Sequence, residues 1–209
     1  MLLIKNLKKQ YKAGSPIFEN INRSFTPGGC TGIIGPNGSG KTTFLRILSV
    51  NSFPTEGTVS YNGTDIHKNP STYLKKVGLV HDQESMPEHL SAVELLQWIL
   101  RSREQWDKNS PQQIEALLDE LSLVQRDQPM GTYSTGMKKK TQIAAAFITK
   151  PEVLIMDEPL RGLDESTRQV VIQLIYSSKK KNTLILMASH SLGTDHEIFD
   201  EVLQFPLTK

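Results

Sequence analysis

The chain has 209 residues, of which 37% are hydrophobic and 22% charged, and its formal net charge is +2. That is an ordinary globular composition, long enough for a sizeable core in one large or two small domains. It is too weakly charged to argue for nucleic acid or an acidic membrane as partner.

The single cysteine, Cys30, excludes an internal disulfide and a multi-cysteine metal site. No run reaches the roughly 20 apolar residues that cross a bilayer. Residues 1–8 lack the apolar core of a signal peptide. The expectation is a cytosolic chain that meets a membrane only through a partner.

Residues 2–31 carry short alternating runs, Leu3-Ile4-Lys5-Asn6-Leu7 and Ile17-Phe18-Glu19-Asn20-Ile21-Asn22. Period two between Gly14-Ser15-Pro16 and Pro27-Gly28-Gly29 predicts antiparallel strands and hairpins. Tyr11 falls in the loop between two of these strands, where an aromatic can stack on a base or pack on its own sheet. Thr31-Gly32-Ile33-Ile34 reads as a buried strand, with Cys30 a packed thiol beside the next segment.

That segment, Gly35-Pro36-Asn37-Gly38-Ser39-Gly40-Lys41-Thr42, matches G-x-x-x-x-G-K-[ST] in full. Thr43 and the residues to Leu48 continue as a helix. Glycines let the backbone wrap an anion so that successive N–H groups point inward, and the helix adds its positive end. Lys41 then serves the β- and γ-phosphates, and the Thr42 hydroxyl serves a Mg²⁺ ion. This is a nucleotide site.

Downstream, residues 54–63 read as a strand and turn, with Asn62-Gly63 the hairpin signal. Val77-Gly78-Leu79-Val80-His81 reads as a buried strand leading into Asp82-Gln83-Glu84. Helical spacing follows over 92–100 and over 114–121, the latter started by Ser110-Pro111. Trp98 and Trp106 are read as core and rim of this helical part. Residues 136–149 form another helix, stopped by Pro151. The strand 153–157, the helix 166–180, the buried strand 183–188 and a closing edge strand 202–205 complete the pattern. The predicted fold class is α/β, layered on a central mostly parallel sheet. The lysine runs 138–140 and 179–181 read as solvated helix faces.

Val153-Leu154-Ile155-Met156 ends in Asp157-Glu158. A carboxylate at the carboxyl end of a parallel strand sits where ligands bind in such sheets. Asp157 would hold Mg²⁺, and Glu158 would polarise the attacking water as a general base. The strand ending in Ser189-His190 is predicted to neighbour the Asp157 strand, so His190 can reach the γ-phosphate or the water. Ser134 caps the helix opened by Thr135-Gly136, and that helix tip is a second anion-binding end without a ligand in this chain.

The ordered set Gly35 to Thr42, Ser134-Thr135-Gly136, Asp157-Glu158-Pro159, Gly162-Leu163-Asp164 and Ser189-His190 resembles the ATP-binding-cassette family, specifically a transporter's nucleotide-binding subunit. The resemblance implies a P-loop NTPase domain over 1–209. A RecA-like core with an antiparallel β part would take about 1–83 and 151–209, and a helical subdomain about 84–150. It implies ATP and Mg²⁺ as cofactors, with Tyr11 on adenine and Gln83 on the metal. Ser134 and Gly136 would contact the γ-phosphate held by an opposite subunit. Asp164 would communicate between sites, and His190 would act as switch histidine.

The implied partners are transmembrane permease subunits and a second cassette, in a homodimer or a heterodimer. No nucleic acid is expected. The implied place is the cytoplasm, peripheral at the inner face of the cell membrane. Thr135 and Met137 depart from the family's usual signature residues, and Arg161 stands where small residues are usual. Asp82 competes with Gln83 for the expected glutamine position. Two other readings stay open: a soluble cassette acting on ribosomes or nucleic acid, and a small-molecule kinase sharing only the cradle.

Overall fold

The computed structural model describes residues 1–12, 14–82, 86–190 and 196–207. Alternating apolar residues build the first sheet. β1 (Leu2–Lys12) and β2 (Ser15–Phe25) form a hairpin, and β1 also pairs antiparallel with β4 (Glu56–Tyr61). A short β5 (Thr64–Asp65) follows the predicted Asn62-Gly63 turn and completes the order β2-β1-β4-β5. Tyr11 belongs to the end of β1 rather than to a loop, because pairing with β2 continues to Lys12.

The second sheet is wholly parallel. It contains β3 (Cys30–Ile34), β6 (Val77–Val80), β7 (Val153–Asp157), β8 (Leu184–Ser189) and β9 (Glu201–Gln204) in the order β6-β7-β8-β3-β9. Every residue of β3 and β7 is buried. Both faces are covered, which is why these strands show continuous apolar runs instead of alternation. The closing strand β9 lies at the edge, as its short apolar run predicts.

The sheet separates two hydrophobic clusters. One joins the antiparallel sheet to α1 (Lys41–Leu48), where Phe44, Ile47 and Leu48 are fully buried and Phe44 packs against Phe18 and Phe205 at 5.8 and 5.4 Å between ring centroids. The other joins the sheet residues Val80, Leu154, Met156 and Ile185 to the helices α3 (Ala92–Ser102), α4 (Ser110–Glu120) and α5 (Thr135–Ile148). A short α2 (Pro70–Leu74) precedes β6, and α6 (Glu165–Lys180) connects β7 to β8. α3 starts at a reciprocal cap: Ser91 Oγ accepts from Glu94 N–H, and the Glu94 carboxylate accepts from Ser91 N–H.

Two further expectations are corrected. Trp98 is 63% exposed, because it stands on the outer face of α3, while half-buried Trp106 takes the Arg101 guanidinium 4.6 Å over its ring. Lys139 is buried, its ammonium donating to the His81 carbonyl at 2.9 Å. Lys140 pairs with Asp164 at 3.3 Å. Three consecutive helical positions span about 200° of arc, so such a run cannot all face solvent when the helix is packed on two sides.

Candidate functional site

Parallel pairing sets the site. β8 lies between β7 and β3, with Asp157 beside Ala188 and Ile34 beside Ser189. The loop after β3, the residue after β8 and the acidic end of β7 therefore leave three adjacent strands at the same edge. β6 stands on the other side of β7 and adds Asp82.

The loop after β3 is shaped by contact with its surroundings. Phe205 N–H donates to the Ile34 carbonyl, and a Cβ on Gly35 would collide with the Phe205 carbonyl. Gly40 has φ 104°, and a Cβ there would also meet Ile17. It caps α1 without a side chain, which leaves the helix's first N–H groups open to an anion. Lys41 is buried in the first turn. Its ammonium donates back to the carbonyls of Gly35 and Pro36 at 2.6 and 3.0 Å. Ser39 Oγ is buried with no hydrogen-bond partner among the described residues. A buried hydroxyl left in that state points to a missing oxyanion or water.

Asp157 is 6% exposed, and burial is the main cause pushing its carboxyl above the usual range, with the Asp82 charge adding and the Thr42 hydroxyl opposing through a hydrogen bond. Asp157 and Thr42 together offer hard oxygen donors that fit a divalent cation. Glu158 has φ 50°, a left-handed conformation uncommon for a non-glycine residue, fixed by its N–H donating to the Ala188 carbonyl. Burial raises its carboxyl as well; His190 opposes that shift and Asp157 reinforces it. His190 Nε2 stands 3.3 Å from Glu158 Oε1, in ion-pair range but without hydrogen-bond geometry.

These groups share one cavity of about 370 Å³, lined by Asn37, Gly38, Ser39, Gly40, Lys41, Thr42, Thr43, Asp157, Glu158 and His190. Gly35 and Pro36 stand behind it, holding Lys41. Three further lining residues, Ile17, Asp82 and Arg161, were not placed there by sequence reasoning. Ile17 gives no local signal, since only the hairpin's packing onto Gly40 brings it to the cleft. A larger cavity of about 460 Å³ lies on the far side of α1 and shares Thr42, Asp82 and Asp157.

The remaining expected residues stand apart. Tyr11 is 65% exposed at the end of β1, with Lys9 Nζ 4.8 Å from its ring centre, and does not line the cavity. Ser134 caps α5 by accepting from Met137 N–H and is exposed; neither it nor Gly136 lines the cavity. Asp164 caps α6, accepting from the Thr167 N–H, the Thr167 hydroxyl and the Ser166 hydroxyl at 2.6–2.9 Å. Gln83 lies outside the described residues.

Residues 18–161 match the family model described as ABC transporter. The chain is 33% identical over 200 residues to the bacitracin transport ATP-binding protein BcrA of Enterococcus faecalis, covering 95% of this chain and 64% of that protein. It is 32% identical over 199 residues to ABC transporter A family member 12 of Arabidopsis thaliana, covering 91% of this chain and 22% of that one. The chain thus spans less than two thirds of either relative. A solved ATP-binding subunit of an ABC transporter superposes with a TM-score of 0.91 at 26% identity, over 98% of this chain and 85% of its own. The family match takes in the cradle, the capped tip of α5 and the acidic end of β7, and this chain belongs to the ABC transporter family as an ATP-binding cassette.

Proposed function

We propose that this cassette binds Mg²⁺·ATP in the 370 Å³ cleft and hydrolyses it, closing on a second cassette to drive a transmembrane permease. One observation carries the reading. Lys41, Asp157, Glu158 and His190 line one cavity, while the exposed cap of α5 lies outside it. A second cassette, another copy or a related chain, supplies that cap to the phosphate.

The roles follow from the positions. Lys41 exchanges two backbone carbonyls for phosphate oxygens, a stronger charge-assisted contact. Thr42 and Asp157 would hold Mg²⁺, with Gln83 the further ligand that the family resemblance implies, and the cation would supply charge neutralisation at the phosphate oxygens. Glu158 accepts the proton of the attacking water, its basicity strengthened by burial. Water oxygen bonds to the γ-phosphorus as the bond to the bridging oxygen breaks, and ADP leaves with that electron pair. His190 orients Glu158 and the water. Tyr11 stacks on adenine, and Asp164 links the two sites.

No helix among the described residues is long and apolar enough to cross a membrane. Membrane contact runs through the permease, at the cytoplasmic face of the cell membrane. The similarity to a bacitracin transport protein supports coupling to transport.

The test is Glu158→Gln with ATP, followed by light scattering after gel filtration and by phosphate release. The expected outcome is a stable nucleotide-bound dimer with turnover reduced at least about 100-fold, in line with loss of a general base. Lys41→Ala should bind no nucleotide and stay monomeric. Wild-type turnover in the Glu158→Gln variant would remove Glu158 from the chemistry, and an ATP-loaded monomer would remove the two-cassette site.

A further inference from the structure

On the α6 side of the Glu158–His190 pair lies a further cavity of about 210 Å³. It shares only Glu158, Arg161 and His190 with the nucleotide cleft, so these three side chains form the partition between the two spaces. No residue of the cradle or of α1 lines it. Its walls are the loop after β7, the carboxyl end of β8 and Arg168 early in α6, with Leu160, Met187 and Phe199 as its apolar side. Phe199 is pressed against β3, since a Cβ on Gly32 would stand 2.8 Å from its ring.

The charges in this cavity favour an anion. Two guanidiniums, Arg161 and Arg168, and the His190 imidazole surround it, and Glu158 is the one acid lining it among the described residues. Arg161 Nη1 stands 3.5 Å from Asp82 Oδ1 across the mouth of the cleft, and its side chain is 66% exposed. So open a pair contributes little and leaves most of the guanidinium fork for another acceptor. That fork matches the oxygens of a tetrahedral oxyanion.

Glu158 narrows the choice. Its Oε1 is buried and accepts no hydrogen bond among the described residues. An ionised carboxylate can only accept, so an anion seated beside it must bring its own O–H donor. Hydrogenphosphate has that donor, and sulfate at neutral pH does not. At about 210 Å³ the cavity equals roughly seven water volumes of about 30 Å³ each, room for such an ion with a few waters.

We infer that this cavity is an inorganic-phosphate site separate from the cradle, in which Arg161 and Arg168 donate to a hydrogenphosphate ion whose O–H donates to Glu158 Oε1. The inference rests on the nucleotide reading given above, because hydrolysis in the cleft releases that ion on the other side of the partition. Lys41 and the loop at Gly35 play no part in the second site, so it fills while the cleft still holds a nucleotide. Phosphate there engages the carboxylate that activates the water. It therefore inhibits turnover without competing with ATP for the cradle.

The experiment is equilibrium dialysis of radiolabelled inorganic phosphate against the full chain, loaded with a saturating non-hydrolysable ATP analogue that keeps the cradle filled. Wild type should bind a single phosphate, with sulfate at least about tenfold weaker as a competitor. Arg168→Gln should weaken phosphate binding by about tenfold and leave the analogue within about twofold. Leu160→Trp, which fills the cavity from its apolar side, should abolish phosphate binding with the analogue again within about twofold. Phosphate that binds only the nucleotide-free chain, or that displaces the analogue, sits in the cradle and overturns the second site. Equal phosphate affinity in Arg168→Gln and wild type, or sulfate competing as well as phosphate, overturns the donor set. If wild type does not hold the analogue, the nucleotide reading fails and this inference with it.

Discussion

Single residues in this molecule do their work through burial and hydrogen bonding that a sequence shows only in part. Asp164 is a clear case: the family resemblance assigns it to communication, and the structure adds a cap that Ser166 and Thr167 hydrogen-bond from three directions. These bonds, the Ser166 hydroxyl foremost, hold its carboxyl well below the usual range. A depressed carboxyl contributes stability in full above the unfolded value near 3.8, and that contribution is lost as pH falls through the native value. Asp164→Ala should therefore lose about 1 kcal/mol at pH 7. Thermal scans should show the gap from wild type steady down to about pH 4 and narrowing below it; a gap that stays constant to pH 2 would refute the assignment. Lys41, Thr42, Asp157 and Glu158 were legible because their motifs are local. Asp82 and Arg161 were noted as oddities, yet their meeting across the cleft depends on two loops some eighty positions apart.

Elements were legible wherever one period dominated. The hairpin, the buried strands β3, β7 and β8 and the helices α3 to α6 all stand close to where spacing placed them. α5 departs most, through the buried lysine in its basic run. Lys139 lies between α5 and the end of β6, its ammonium on the His81 carbonyl. A long stem lets the charge reach a polar target while its methylenes fill the core. Replacing it with methionine keeps the volume and strands that carbonyl, at a cost of about 2 kcal/mol. Lys138→Ala, on the more open face, should change stability by less than about 0.5 kcal/mol. Urea denaturation of both variants checks the contrast, and similar losses would return Lys139 to the solvated face.

At the scale of the whole molecule, sequence gave the parallel sheet and its β7–β8 adjacency but not the full order, in which β3 sits between the late strands β8 and β9. Such order is set by long-range packing, and no local pattern encodes it. Phe44 reports on that packing, because its ring joins α1 to Phe18 of the antiparallel sheet and to Phe205 beyond β9. Phe44→Ala should cost about 3–5 kcal/mol and weaken nucleotide binding with it, since the same helix carries Lys41 and Thr42. Paired denaturation and nucleotide titrations measure both; a large stability loss with unchanged nucleotide affinity would separate the core from the cleft. Phe205 itself, near the last described residues, floors the loop that begins at Gly35. A polypeptide still growing on the ribosome thus carries Lys41, Asp157 and Glu158 before it has made the residue on which the loop at Gly35 rests.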